Sequence, residues 1–178
     1  TAADSGTPLE QGAMRMFAHT PEISKGLTAF AGSLKQNRSL PDRLVELVRL
    51  RVAFHNQCRS CMAIRYKDGQ EDGITEDLVC SLEKPMEADN LSDAEKAAIQ
   101  YGELFATNHL AINDGIYDNL RKYFSESEIV ELSMTVAFFV GFGRLAASYH
   151  MVEELPESFQ ADEKETLTPW GNDSIIVR

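Results

Sequence analysis

Apolar residues recur every three or four positions through most of the chain and nowhere alternate over a useful length, which is the pattern of helices packed on helices. Leu9 to Ala18 forms a short helix, and Thr20-Pro21 opens a second, with Thr20 as its cap and Pro21 in the first helical position. Ile23, Leu27, Phe30 and Leu34 give that helix an apolar stripe. A third helix opens near Pro41 and turns Leu44, Leu47, Val48 and Val52 inward. Asn56-Gln57 interrupts it, because Asn competes for backbone hydrogen bonds and favours helix boundaries. Cys58 then falls in the first turn of a new helix running to about Tyr66. Asp68-Gly69 and Asp72-Gly73 mark a loop, Thr75 to Glu83 is a short helix carrying Cys80, and Pro85 to Asn90 is a connector. Capping boxes at Ser92 and Glu95, and at Ser125 and Glu128, start two longer helices that run to about Asn108 and about Val152. Between them Asn113 caps a helix reaching Phe124. Gly141 and Gly143 weaken the last helix intrinsically, so another helix is expected to cross there at close range.

Outside these elements the pattern stops. Residues 1–8 are small and polar, as in a disordered tip. From Leu155 onward Pro156, Pro169, Trp170-Gly171 and Ile175-Ile176-Val177 show no helical period, and this tail has the character of an arm that docks on a neighbouring subunit. No strand of useful length and no internal repeat is evident. The fold class is all-α, and 178 residues suit one domain with a core of its own.

Composition narrows the functional classes. A formal charge of −11 argues against nucleic acid or an anionic membrane as partner, since phosphate binding needs clustered Lys and Arg. The longest apolar run, Val136 to Gly143, is interrupted by Arg144 and falls short of the ~20 apolar residues of a membrane span. Three cysteines are not a secreted disulfide framework, so a reducing, cytoplasmic setting is expected. The chain starts at Thr1 rather than Met, which leaves room for a removed targeting segment. No Gly-rich phosphate loop follows a strand, and no nucleotide, flavin or haem cofactor is expected.

The chemistry concentrates at Cys58 and Cys61, a C-x-x-C pair. Two thiols one turn apart can close into a disulfide and reopen, and a helix start favours the thiolate through free N–H groups and the dipole. Arg59 and Arg65 add positive charge, Arg65 lying four residues after Cys61 and so on the same helical face. The competing readings are structural thiols and half of a zinc site. Zinc needs a second closely spaced ligand pair, which Cys80, His55, His109 and His150 do not provide. Glu46 precedes Cys58 by twelve residues, ~18 Å along one straight helix. A fold-back at Asn56-Gln57 would bring Glu46, Arg65 and Cys61 into line; otherwise Glu46 is a solvated carboxylate. His55 can shuttle protons across the break or cap the preceding helix, and capping also accounts for His109 and His150. Cys80 is expected to be a small buried hydrophobe outside the site. Phe138, Phe139 and Phe142 belong to the core or an interface, or line an apolar pocket beside the thiols.

Glu46, eleven intervening residues, Cys58-Arg59-Ser60-Cys61 and a helical second half resemble the alkylhydroperoxidase D-like, carboxymuconolactone decarboxylase family. The resemblance spans residues 40–152, with 1–39 as an N-terminal helical extension and 153–178 as a tail or arm. It implies an oligomeric all-α bundle that reduces organic hydroperoxides or exchanges thiols and disulfides, drawing electrons from a protein or thiol reductant. Cys61 would be the peroxidatic thiol, Cys58 the resolving thiol and Glu46 the start of a proton relay. The family's relay His, four residues beyond the second Cys, is replaced by Arg65, which stays protonated and so can tune a thiol but not act as a base. His55 is then the available substitute. The other activity the resemblance implies is decarboxylation of a muconolactone, which needs convergent cations rather than redox thiols. A non-catalytic redox-sensing oligomer is the remaining alternative.

Overall fold

The computed structural model describes residues 6–152, 154–160, 166–171 and 175–178. The disordered tip expected for residues 1–8 falls largely on residues outside this set. The described part of it does something definite: Thr7 caps the first helix, and Pro8 is its first residue. Among the described residues are ten α-helices: α1 Pro8–Ala18, α2 Pro21–Gln36, α3 Asp42–Asn56, α4 Arg59–Ala63, α5 Lys67–Glu71, α6 Glu76–Cys80, α7 Asp93–Thr107, α8 Asp114–Leu120, α9 Glu126–Ser148 and α10 Glu157–Gln160. Two strands of two residues each, β1 Ile64–Arg65 and β2 Ile176–Val177, complete the described elements. The all-α class holds, and short 3₁₀ turns make up much of the connections.

The centre of the molecule is α3. Every residue from Leu44 to Ala53 is buried, including Glu46, Arg49 and Arg51, so the helix is enclosed on all sides rather than along one stripe. It packs mainly against α7 and α9. Gly102 permits the α7 crossing, because a Cβ there would lie 2.9 Å from Val48 Cγ1. Both expected capping boxes form, at Ser92 and at Ser125, and a third forms between Thr7 and Glu10. Of the two glycines flagged in α9, Gly143 makes the close approach, a Cβ there meeting Asn56 Nδ2 at 2.5 Å. Gly141 faces open space.

Three expectations change. The helix begun at Cys58 does not reach Tyr66; it ends at Ala63 and the chain becomes extended. The carbonyls a longer helix would need are taken by side chains: Arg49 donates to Cys61 O and Ile64 O, and Arg65 donates to Met62 O and Ile64 O. The described tail packs on its own chain, not as a detached arm. Ile64 and Arg65 pair in parallel with Ile176 and Val177, Trp170 joins the main core, and Leu155 and Phe159 pack with Ala53, Met62 and Ala63. Finally, the apolar run that Arg144 interrupts is part of the longer helix α9, in which the Arg144 guanidinium donates to Asn56 Oδ1 and Ala106 O. Its 23 residues are long and apolar enough, by length and composition, to cross a membrane. Here its inner face, Ile129, Leu132, Val136 and Val140, is part of the protein core.

Candidate active site around the C-x-x-C pair

Gln57 stops α3 in the left-handed region, φ 49°, and its side-chain amide is gripped on the far side by Leu167 of the tail. The turn delivers Cys58 as N-cap of α4, with its sulfur receiving the Cys61 N–H at 3.4 Å. Cys58 and Cys61 are joined in a disulfide. Their environments differ: Cys58 is fully buried, whereas Cys61 is half-buried and opens onto a cavity of about 360 Å³. The cavity is walled by α1 and α2 through residues such as Leu9, Phe17 and Leu27, and by Phe138 and Phe142 of α9. Those two phenylalanines stack with centroids 5.4 Å apart and planes nearly parallel. They are neither plain core nor bare surface, but the wall opposite a sulfur.

Beneath that sulfur lies a buried ion pair. Glu46 accepts from Arg49 Nε at 2.6 Å and from Nη2 at 2.7 Å, and it also accepts the Tyr66 N–H at 3.2 Å. Arg49 Nη1 donates to the carbonyl of Cys61 itself at 2.6 Å, and Nη2 to Ile64 O at 2.8 Å. Its guanidinium lies 4.8 Å from the centroid of the Tyr66 ring. Burial disfavours the charge on Arg49, but the neighbouring Glu46 carboxylate outweighs it and holds the group above its ordinary range. Gly69 lets α5 close over this pair, since a Cβ there would meet Glu46 Cβ and Cγ at 3.0 Å.

The expected alignment of Glu46, Arg65 and Cys61 is therefore not formed. Glu46 is neither solvated nor paired with Arg65; its partner is Arg49. Arg65 is completely buried and donates to Glu76, to Met62 and Ile64 carbonyls and to Pro169 O. Helical spacing from Cys61 lost its meaning once the chain became extended at Ile64. His55 faces α7 instead of the cavity, with Nε2 3.7 Å from Glu103 Oε1. His55 and Arg51, which binds Oε2 at 3.0 Å, hold the Glu103 carboxyl down at about 2 against the opposing effect of burial. Arg59 is buried, with Nη1 3.4 Å from Phe159 O of α10. Cys80 is exposed rather than buried, at the end of α6, and carries a free thiol. Among the described residues no group of three or more His, Cys, Asp or Glu is placed to hold a metal ion.

Arg49 and Tyr66 were not singled out by the sequence reading. The available signal was the Glu46/Arg49 spacing of three on α3, a spacing that places opposite charges side by side.

From residue 21 to residue 104, a span that includes Glu46, Arg49, both paired cysteines and Tyr66, the sequence matches the carboxymuconolactone decarboxylase family. The matched stretch is just under half of the chain. Among related sequences, the uncharacterized protein Rv2313c of Mycobacterium tuberculosis is 29% identical over 121 residues, 66% of this chain and 42% of its own length. This chain thus spans less than half of that relative. The uncharacterized protein YnjA of Escherichia coli is 24% identical over 144 residues, covering 80% of this chain and 77% of its own. Among solved structures, a protein of unknown function from Agrobacterium tumefaciens, described as a candidate antioxidant defence protein AhpD, superposes with a TM-score of 0.65 at 21% identity. That match covers 79% of this chain and 95% of the other. An uncharacterized peroxidase-related protein from Ralstonia eutropha, described as an alkylhydroperoxidase AhpD core, also gives 0.65, at 18% identity, covering 84% and 78%. At these identities the likeness establishes an AhpD-like helical fold.

Proposed function

We propose that the protein is a thiol peroxidase that reduces organic hydroperoxides through Cys61 and Cys58. The observation that supports this most directly is the asymmetry of the pair: Cys61 opens onto an apolar cavity, and Cys58 is buried behind it. In the reduced protein the Cys61 thiolate attacks the distal oxygen of ROOH, the O–O bond breaks, and RO⁻ leaves to take up a proton as ROH. Cys61 is then a sulfenic acid. The Cys58 thiol attacks that sulfur, forming the disulfide and releasing water, and a dithiol reductant returns the pair to two thiols. Arg49, bonded to the Cys61 carbonyl, supplies positive charge beside the thiolate. Arg49 is the single cationic side chain among the described residues lining the cavity, where an anionic lactone would want convergent cations, which weighs against the decarboxylase chemistry.

The test is consumption of cumene hydroperoxide by the dithiol-reduced protein, beside Cys58→Ser and Cys61→Ser. Turnover abolished by Cys61→Ser, with Cys58→Ser halting after one equivalent at a trapped sulfenic acid, supports the reading. A wild type that consumes hydroperoxide no faster than free cysteine overturns it.

A further inference from the structure

The proposed reaction leaves an alkoxide, a far stronger base than a thiolate, and something must give it a proton as the O–O bond breaks. The usual carriers are absent from the cavity beside Cys61: of the described residues that line it, none is a histidine or a carboxylic acid. Glu46 is committed to Arg49 and to the Tyr66 amide, and His55 faces Glu103. Arg49 does line the cavity, yet four of its five N–H groups are already bonded and Glu46 holds its proton in place. The hydroxyls of Thr28 and Ser60 are aliphatic alcohols, no more acidic than the alcohol being formed. What remains is a phenol.

We infer that Tyr66 is the general acid of this site, a catalytic residue that protonates the departing alkoxide; the inference rests on the peroxidase reading above. Three observations carry it. Tyr66 lines the same cavity as Cys61, so a hydroperoxide that reaches the sulfur enters a space its ring helps to wall. Its position is fixed by the ion pair, through its N–H on Glu46 Oε1 at 3.2 Å and its ring 4.8 Å from the Arg49 guanidinium. And Tyr66 is 45% exposed, standing also in the wall of a second, more polar pocket that shares Arg49 with the first. It can therefore recover its proton from water without opening the apolar cavity. The proton balance closes: Tyr66 O–H passes to RO⁻, giving ROH and a phenolate, and water restores the phenol before the next turn.

The experiment compares reduced wild type with Tyr66→Phe, which keeps the ring over Arg49, using two oxidants. Cumene hydroperoxide leaves as an alkoxide and needs the proton; peracetic acid leaves as acetate and does not. The rate of Cys61 oxidation by cumene hydroperoxide is expected to fall about 100-fold or more in Tyr66→Phe, the usual scale for loss of a positioned acid. The rate with peracetic acid is expected to stay within about twofold. A loss with both oxidants would mean that Tyr66 only shapes the cavity, and a loss with neither that it takes no part; either overturns the inference while the peroxidase reading stands. A wild type inert to cumene hydroperoxide overturns both.

Discussion

Two buried guanidinium groups flank the cysteine segment, and their bonds assign them different tasks. Arg49 reaches Glu46 and the Cys61 carbonyl, whereas Arg65 binds Glu76, two carbonyls of its own segment and Pro169 O of the tail. Arg49→Met should therefore raise the apparent pKa of the Cys61 thiol, seen as an upward shift in its alkylation rate profile against pH. It should also cost about 3–5 kcal/mol of stability, because the buried Glu46 carboxylate loses its counter-charge. Arg65→Lys should leave the alkylation profile in place while lowering the melting temperature, since one ammonium cannot replace a guanidinium that binds Glu76 in bidentate fashion. A shifted profile in Arg65→Lys would reverse the two roles. The thiols were legible in the sequence because residue type and spacing name them, whereas spacing left Glu46 open and only the family resemblance drew it in. The electrostatic partner of these residues was not legible. The choice between Arg49 and Arg65 depended on whether the chain stays helical past Cys61, and that was decided by side chains capturing carbonyls, which no periodicity records.

Helix starts carry their own local chemistry, so the Ser92 and Ser125 boxes were readable residue by residue. Helix crossings are different, because the same glycine can mark a close contact or nothing. Gly102 and Gly141 are both helix-interior glycines, in α7 and α9, and their surroundings call for opposite outcomes. Ala at position 102 gains about 1 kcal/mol of intrinsic helix preference. Its Cβ, however, would press on Val48 Cγ1 at 2.9 Å in the middle of the α3–α7 contact, and β-branched Val48 has little rotamer freedom with which to yield. Gly102→Ala should destabilise by about 1–3 kcal/mol net, as overpacking does. Gly141→Ala meets nothing within 4 Å and should stabilise by up to about 1 kcal/mol. Urea denaturation of the two variants checks the pair. Equal signs would mean that the crossing relaxes freely. Sequence alone flagged Gly141 and Gly143 together, and only the placement of Asn56 against Gly143 separates them.

At the scale of the whole molecule, the tail determines how firmly the cysteine segment is held. One end of that segment is fixed where the Gln57 amide exchanges hydrogen bonds with Leu167, and the other where β1 pairs with β2 and Arg65 donates to Pro169 O. Arg178 extends the clasp to α1 by pairing with Glu10 and with Glu154. No helical period marks this tail, and its four-residue α10, two residues of strand and buried Trp170 are too short to show one. What the sequence could not convey is that the tail's partner is its own chain. Trp170 lies against Phe54 and beneath the Arg51 guanidinium, so removing the tail uncovers the C-terminal half of α3, beside the turn that presents Cys58. A chain ending at Gln160 keeps the α3, α7 and α9 contacts and should retain its helical far-UV signature. It loses the burial of Trp170, about 2–3 kcal/mol, and a few hydrogen bonds of about 1 kcal/mol each. It also leaves Arg65 with one fewer acceptor and β1 without its partner. The expected result is local: amide exchange accelerates from Gln57 to Tyr66, and the Cys58–Cys61 disulfide is reduced by dithiothreitol several-fold faster, because buried Cys58 becomes reachable. Unchanged exchange in that segment would mean that α4 is held by the bundle alone, and that the tail's hydrogen bonds follow its position instead of setting it.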